Sequence, residues 1–424
     1  MRKQSFLLML ALSFVLLSAC QSSTASAPKA TSTATTAPAS TPSPTATPSP
    51  GTVTVSDSAI ASQLSFAFVQ ANDVWVSLRG APPQQVTHLN LSTQQLAWYL
   101  VWSADQTKLL VVESNPTSSS GFQGGAWMIS LPGESITPVS TFATLSSGCA
   151  FSCGWLEDRY LVYADVAEAG SHAQVYHIYD TQAQRALATS LDSQKITEWE
   201  VRGGELYFTP YVDSTGTGSF VPGAIKRFDL ASNQITTAFT VSEGALVAEG
   251  ISSARWDISA DGKKIVYYFF AGALHDCPAG VQCKTIYQDA TGRITAIFPS
   301  YQAGANVTTQ INAPVWISPD GTDAAGFITG GGASAAGGPL DTLVQQALPS
   351  GNGWSTALPA GTGPHSDLVL GWISQPAGII IQRIEEDAQQ APLATNVYFA
   401  PNGSGNAHLV ETVSASVVVF APLG

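Results

Sequence analysis

An all-β fold assembled from a repeated four-stranded unit is what this sequence predicts, and three observations carry the prediction. Six Trp-led segments recur, at Trp102, Trp155, Trp199, Trp256, Trp316 and Trp372, in steps of 53, 44, 57, 60 and 56 residues. Each is followed by turn residues and then by short alternating apolar runs, the pattern of strands joined by tight turns. The folded part also opens without a Trp-led strand and closes with a lone apolar strand, Ser414 to Phe420. A repeat near 54 residues made only of strands and turns suits one blade of a β-propeller better than a helical solenoid unit.

The clearest copy is Val315-Trp316-Ile317-Ser318-Pro319-Asp320-Gly321. Proline presets φ at the second turn position, aspartate bonds its own backbone, and glycine accepts the positive φ that ends the turn. A third strand follows the Trp hairpin in most units: Ala126 to Leu131, Gln174 to Tyr179, Ala224 to Leu230, Lys284 to Gln288 and Asn396 to Phe399. Short fourth strands follow at Ile136 to Val139, Ile235 to Phe239, Ile294 to Phe298 and His408 to Val410. In the Trp316 unit a Gly/Ala-rich insertion, Gly330 to Gly338, separates the second and third strands. The repeat resembles the TolB-type and WD-repeat-like propellers over most of residues 64 to 420, through Ser318-Pro319-Asp320-Gly321 and Ser259-Ala260-Asp261-Gly262. The resemblance implies a propeller fold and leaves activity open, because propellers host unrelated functions. The Trp155 and Trp199 units lack that turn and are placed by spacing and strand pattern.

Taken in order, the chain begins with Arg2 and Lys3, an apolar run from Phe6 to Ala19, and Leu17-Ser18-Ala19-Cys20. Fourteen apolar residues are too few to span a bilayer and suit a signal-peptide core. Leu-Ser-Ala-Cys resembles the bacterial lipobox, which implies a signal peptide over 1–19 and a lipid on Cys20. An ordinary secretion signal with an incidental cysteine is the plainer alternative. Residues 20–55 are almost entirely Ser, Thr, Ala and Pro, a composition too poor in apolar surface to fold, and are expected to form a disordered tether. As a coil they span roughly 30 to 35 Å.

The propeller domain is expected over 56–424. Leu64 to Val69, Asp73 to Leu78 and Gln84 to His88 match the second, third and fourth strands of a unit, and the C-terminal strand is the missing first one. Seven four-stranded blades closed by that strand follow, with six as the alternative count. Such closure removes exposed sheet edges.

Charged residues make up only 11% of the chain, against about 25% in an ordinary domain. The net charge of −13 becomes −15 once Arg2 and Lys3 leave with the signal. This argues against nucleic acid and against a basic membrane-docking patch. Besides Cys20 there are two close pairs, Cys149 with Cys153 and Cys277 with Cys283. In an exported chain each pair reads as a disulfide stapling one loop. Metal binding is the competing reading, supported by His275 and Asp276 beside Cys277, although neither pair has the two-residue spacing of common zinc sites.

No catalytic, cofactor or metal residue is assigned. A Gly-x-Ser-x-Gly elbow does not occur. The acidic groups Glu157/Asp158, Glu198/Glu200 and Glu385/Glu386/Asp387 suit Ca²⁺ or acid–base chemistry in principle, and a solvated loop is the ordinary reading of each. His88, His177, His275, His365 and His408 show no ligand spacing. The repeat tryptophans are expected between blades, and Trp127 and Trp354 are the candidates for exposed stacking surfaces. The functional expectation is therefore a lipid-anchored module on the extracytoplasmic side of the cell membrane, its propeller binding a protein, glycan or envelope component without catalysis. A carbohydrate- or lactone-processing propeller enzyme is the alternative.

Overall fold

The computed structural model describes residues 53–70, 73–87, 97–114, 126–131, 135–138, 153–164, 174–211, 223–240, 253–270, 284–298, 309–330, 342–359, 361, 363–388, 392–403, 405–415 and 417–423. Its regular structure is almost wholly β. Strand β1 (Val53–Val55) and one helical turn, α1 (Ser58–Ala61), come first. Asp57 caps α1, its Oδ1 accepting from the amides of Ala59 and Ile60 at 3.0 and 3.2 Å.

The repeat then begins with β2 (Phe66–Gln70), β3 (Asp73–Ser77) and β4 (Gln84–Gln85). The first Trp-led sheet is β5 (Ala97–Trp102), β6 (Lys108–Ser114), β7 (Ala126–Ser130) and β8 (Ser135–Pro138). The second is β9 (Cys153–Leu156), β10 (Tyr160–Ala164), β11 (Gln174–Asp180) and β12 (Arg185–Leu187). The third is β13 (Lys195–Arg202), β14 (Glu205–Pro210), β15 (Ala224–Asp229) and β16 (Gln234–Thr240). The fourth is β17 (Ser253–Ile258), β18 (Lys264–Phe270), β19 (Lys284–Asp289) and β20 (Ile294–Ala296). The fifth is β21 (Thr309–Ile317), β22 (Asp323–Gly330), β23 (Thr342–Ala347) and β24 (Gly353–Ala357). The sixth is β25 (His365–Ser374), β26 (Ala377–Glu386), β27 (Pro392–Pro401) and β28 (His408–Val413).

Within every set the strands are antiparallel neighbours in chain order. The last strand, β29 (Val417–Phe420), pairs with β2, Phe66 opposite Phe420, and completes the order β29-β2-β3-β4 expected of a clasped sheet. Repeated four-stranded antiparallel sheets of this kind are the blades of a β-propeller.

Two features differ from the sequence reading, the added strand β1 and a join between the second and third sheets, while the fifth sheet follows it. Val53–Val55, assigned to the tether, forms β1, an added strand on the sixth sheet with Val53 opposite Val413 and Val55 opposite Glu411. No local turn signal marks it, since its partner lies more than 350 residues away. The fifth sheet finds its third and fourth strands at β23 and β24, beyond the Gly/Ala-rich insertion, of which residues 331–338 are not described. The second and third sheets also join, because the 44-residue step leaves a short connection. There Gln174 and Val175 of β11 pair with Ile196 and Lys195 of β13.

The turn chemistry is as written in the sequence. Ser318 donates through Oγ to Asp320 at 2.6 Å, Asp320 accepts from the Thr322 amide at 3.0 Å, and Gly321 has φ +68°. Ser259 and Asp261 repeat this with Gly262 at φ +66°. Ser103 and Asp105 do so too, with Gln106 taking the left-handed conformation at φ +60°.

Aligned on those serines, the tryptophans are not equivalent: Trp102 stands one residue before its serine, Trp316 two and Trp256 three. Side chains alternate along a strand, so the difference decides which neighbour each ring meets. Trp102 and Trp256 turn back and donate through Nε1 to the preceding sheet, to the Val419 carbonyl at 3.1 Å and to Thr209 Oγ1 at 2.9 Å. Trp155 does the same to the Val101 carbonyl at 2.9 Å. Trp199 faces back as well, stacking edge-on against Tyr176 and packing on Gly154, where a Cβ would sit 2.7 Å from the indole. Trp316 instead packs forward with Val369, Ile379 and Ile381 of the sixth sheet.

Seven apolar layers hold the described sheets face to face. The clasped sheet meets the first through Ala67, Val74, Trp102 and Val111, and the first meets the second through Val101, Leu110, Trp155 and Tyr163. Further layers join second to third, third to fourth, fourth to fifth and fifth to sixth sheets. The last sets Ile380, Val397, Phe399 and Val413 of the sixth sheet against Phe66, Phe68, Trp75 and Phe420 of the clasped one.

Candidate functional site

Of the residues singled out in the sequence, Cys20, Cys149, Cys277 and Cys283 lie outside the described residues, as do His88 and His275. Cys153 opens β9 and is disulfide-bonded. Trp127 packs against the layer between the clasped and first sheets, and Trp354 is partly buried on β24. His177 contacts Asp192, and His408 contacts Asp57, at 2.5 and 3.0 Å.

The acidic groups serve as joints. Asp158 accepts the Asp105 amide at 3.0 Å through its carboxylate, and its carbonyl receives Lys108 Nζ, so two hairpin turns of neighbouring sheets are tied together. Lys264 repeats the device one stretch on, donating to the carbonyls of Asp320 and Gly321 at 3.0 and 3.1 Å. Glu198 pairs with Arg255 at 3.3 Å and Glu200 with Arg202 at 2.6 Å. Glu385 accepts from Asn396 at 3.3 Å. Burial pushes the Glu386 carboxyl up.

The most ordered polar arrangement lies on the first strands of the third, fourth and fifth sheets. Asp257 on β17 is 1% exposed. Its Oδ1 accepts from Arg202 Nη2 and from the Ile258 amide, both at 3.0 Å, and its Oδ2 accepts from the Ile317 amide at 2.9 Å. Arg202 also donates through Nε to the Ile258 carbonyl at 3.1 Å. Burial works against the Arg202 charge, yet Glu200 and Asp257 hold its pKa above the ordinary value. One carboxylate thus links three successive sheets.

A second buried charge sits in the sixth sheet. Arg383 and Asp367 have fully buried side chains and form a two-pronged pair at 2.7 and 2.9 Å, with the guanidinium 5.4 Å from the Tyr398 ring. Such a planar fork matches a carboxylate in both bonds. At the open end of the same strand, His365 is 4% exposed and donates from Nδ1 to the Gly363 carbonyl at 2.9 Å. Among the described residues its Nε2 has no hydrogen-bond partner.

Sequence reasoning missed Asp257, Asp367 and Arg383. Each carried a visible signal, a charge inside an otherwise apolar strand run, as in Ala254-Arg255-Trp256-Asp257-Ile258. Among the described residues no cluster of three or more His, Cys, Asp or Glu is placed to hold a metal ion.

No family model matches the sequence, and no curated protein does. Solved structures of similar shape include the β-propeller domain of the Trilobed protease from Pyrococcus furiosus, at 11% identity. That alignment covers 82% of this chain and 92% of that one, with a TM-score of 0.47. A protein from Lactobacillus plantarum is 12% identical, covering 84% and 99% of the two chains, with a TM-score of 0.45. The periplasmic gluconolactonase of Pseudomonas aeruginosa is 13% identical, covering 85% and 99%, also at 0.45. Identities this low speak of shape alone, and the blades are recognised by the chain's own strand order and turn chemistry.

Proposed function

We propose that the protein is a lipid-anchored binding or scaffold module, held by Cys20 to the extracytoplasmic side of a bacterial membrane, whose propeller engages a protein, glycan or envelope component without catalysis. The observation that carries this reading is the use made of the inner-strand charges: Arg202, Glu200, Asp257, Arg255 and Glu198 are spent on one another as joints between sheets. A catalytic acid needs a proton-donating atom, and a base a proton-accepting one, open to a substrate, whereas these groups hold the frame on which loops are displayed. Support for a seven-bladed ring of the TolB-type kind comes from the seven four-stranded sets, the Ser-Pro-Asp-Gly turn and the pairing of β29 with β2. The composition of 20–52 and the lipobox-like Leu17-Ser18-Ala19-Cys20 support the tether and anchor, and the close spacing of Cys149 and Cys153 and of Cys277 and Cys283 supports two loop disulfides.

The test has two arms. Full-length protein and Cys20→Ser are compared by membrane fractionation, where the variant is expected in the soluble fraction and equal retention overturns the anchor. The purified protein is then melted against glycans, cell-wall fragments and divalent cations, and assayed for lactone and glycoside turnover. A ligand at 100 times its Kd adds about 2.7 kcal/mol of stability. Turnover of a lactone or glycoside would replace the binding module by the enzyme.

A further inference from the structure

Glu411 lies on β28 at 1% exposure, and among the described residues its Oε1 has no hydrogen-bond partner. It stands directly opposite Val397 on one side and Val55 of β1 on the other. Val397 and Val413, on the same face, belong to the apolar layer between the sixth and clasped sheets, with Phe66, Phe68, Trp75, Val418 and Phe420.

A strap of chain, residues 53–61, runs along this strand. It is held by the three rungs of β1, by the amides of Ser56 and Asp57 donating to the Val410 carbonyl at 2.7 and 3.0 Å, and by Asp57 against His408. Ile60 and Ala61 plug the layer from α1.

We propose that Glu411 and this strap form a proton-operated latch: the neutral carboxyl stays sealed beneath residues 53–61, and its ionisation releases the strap, lengthening the tether from the membrane side. A carboxylate in an apolar layer lacks the hydrogen bonds that offset its loss of water, so ionisation requires hydration of the seam. Burial alone pushes the Glu411 carboxyl up to about 7. Strands β1, β2, β27 and β29 and helix α1 bring it no acid or base other than Tyr398, which faces the opposite layer. On β28 itself His408 is paired with Asp57. From β3, Asp73 is held by Gln85 and Thr87. On β26, Arg383 faces the other layer with Asp367, Glu385 lies opposite His365 on that layer's side, and Glu386 ends the strand near His365.

Hydrogen exchange of the full-length protein, corrected for intrinsic rates, tests the latch. Protection of the Ser56 and Asp57 amides is expected to fall at least about tenfold between pH 5 and 8, since each pH unit across a titration is worth up to a factor of ten. In Glu411→Gln that fall is expected to vanish, and in Asp57→Asn, which removes the neighbouring pair, it is expected to remain. Equal slopes in wild type and Glu411→Gln would overturn the proposal. Should that variant misfold, the carboxyl stretch of isotope-labelled glutamate reads the wild type directly. A fully ionised Glu411 at pH 5 with the strap still protected would equally sink the latch.

Discussion

Asp257 and Glu411 are equally buried carboxyls on propeller strands, and they do opposite things. Three sheets aim donors at Asp257: a guanidinium from the third, an amide from its own strand and an amide from the fifth. Glu411 stands in register with Val397 and Val55 beside an apolar layer, and among the described residues its Oε1 has no donor. A buried charge that collects donors is a fixed joint, whereas a buried acid without them keeps its proton and makes its seam depend on pH. Both are carboxyls and both are 1% exposed, so the donors that neighbouring sheets bring decide between the two.

The contrast is broken hardest in the sixth sheet, where the Arg383–Asp367 pair is fully buried. Asp367→Ala leaves a sealed guanidinium and is expected to cost about 3 to 5 kcal/mol in a denaturant melt. The double change Asp367→Leu with Arg383→Met is expected to recover most of that, because isosteric apolar packing removes the stranded charge.

Next comes Glu411 in the wild type. Its folded pKa is raised, so its contribution is fully present below the unfolded value of 4.5 and is lost as pH rises towards about 7. The loss is of order 3 kcal/mol across that window. Glu411→Gln should melt at a temperature independent of pH there, and a wild type that gains stability over the same range would reverse the comparison. Asp257→Ala should cost about 2 kcal/mol, less than Asp367→Ala because Arg202 is 36% exposed and recovers water. Smallest is Trp256→Phe, which keeps the ring but gives up the bond to Thr209 and should cost about 1 kcal/mol by thermal melting.

Local chemistry was legible in the sequence and long-range pairing largely was not. Ser318-Pro319-Asp320-Gly321 encodes its own turn, since every atom that closes it lies within a few residues. The placing of Ser414 to Phe420 beside the first strands was readable only as a count, one strand missing at one end and one spare at the other, and β29 pairs with β2. Strand β1 offered no such count, because it is additional to a complete sheet. The tryptophan alignment found the sheets yet misplaced the register: rings one, two and three residues before the turn serine satisfy the same spacing but face different neighbours. The ionisable residues were visible as charges, and their partners depended on which strands the fold brings side by side.

The pairing of β2 with β29 also bears on how the chain is made. Residues 66–70 are synthesised about 350 residues ahead of their partner, 417–420. Until then the β2 edge is bare, and contacts of such long sequence separation form slowly. A chain truncated anywhere before residue 417 therefore carries an unprotected edge at its beginning, however well its middle has folded. Strand β29 therefore covers the β2 edge only once it has itself been made, and copies without it keep an edge open to aggregation.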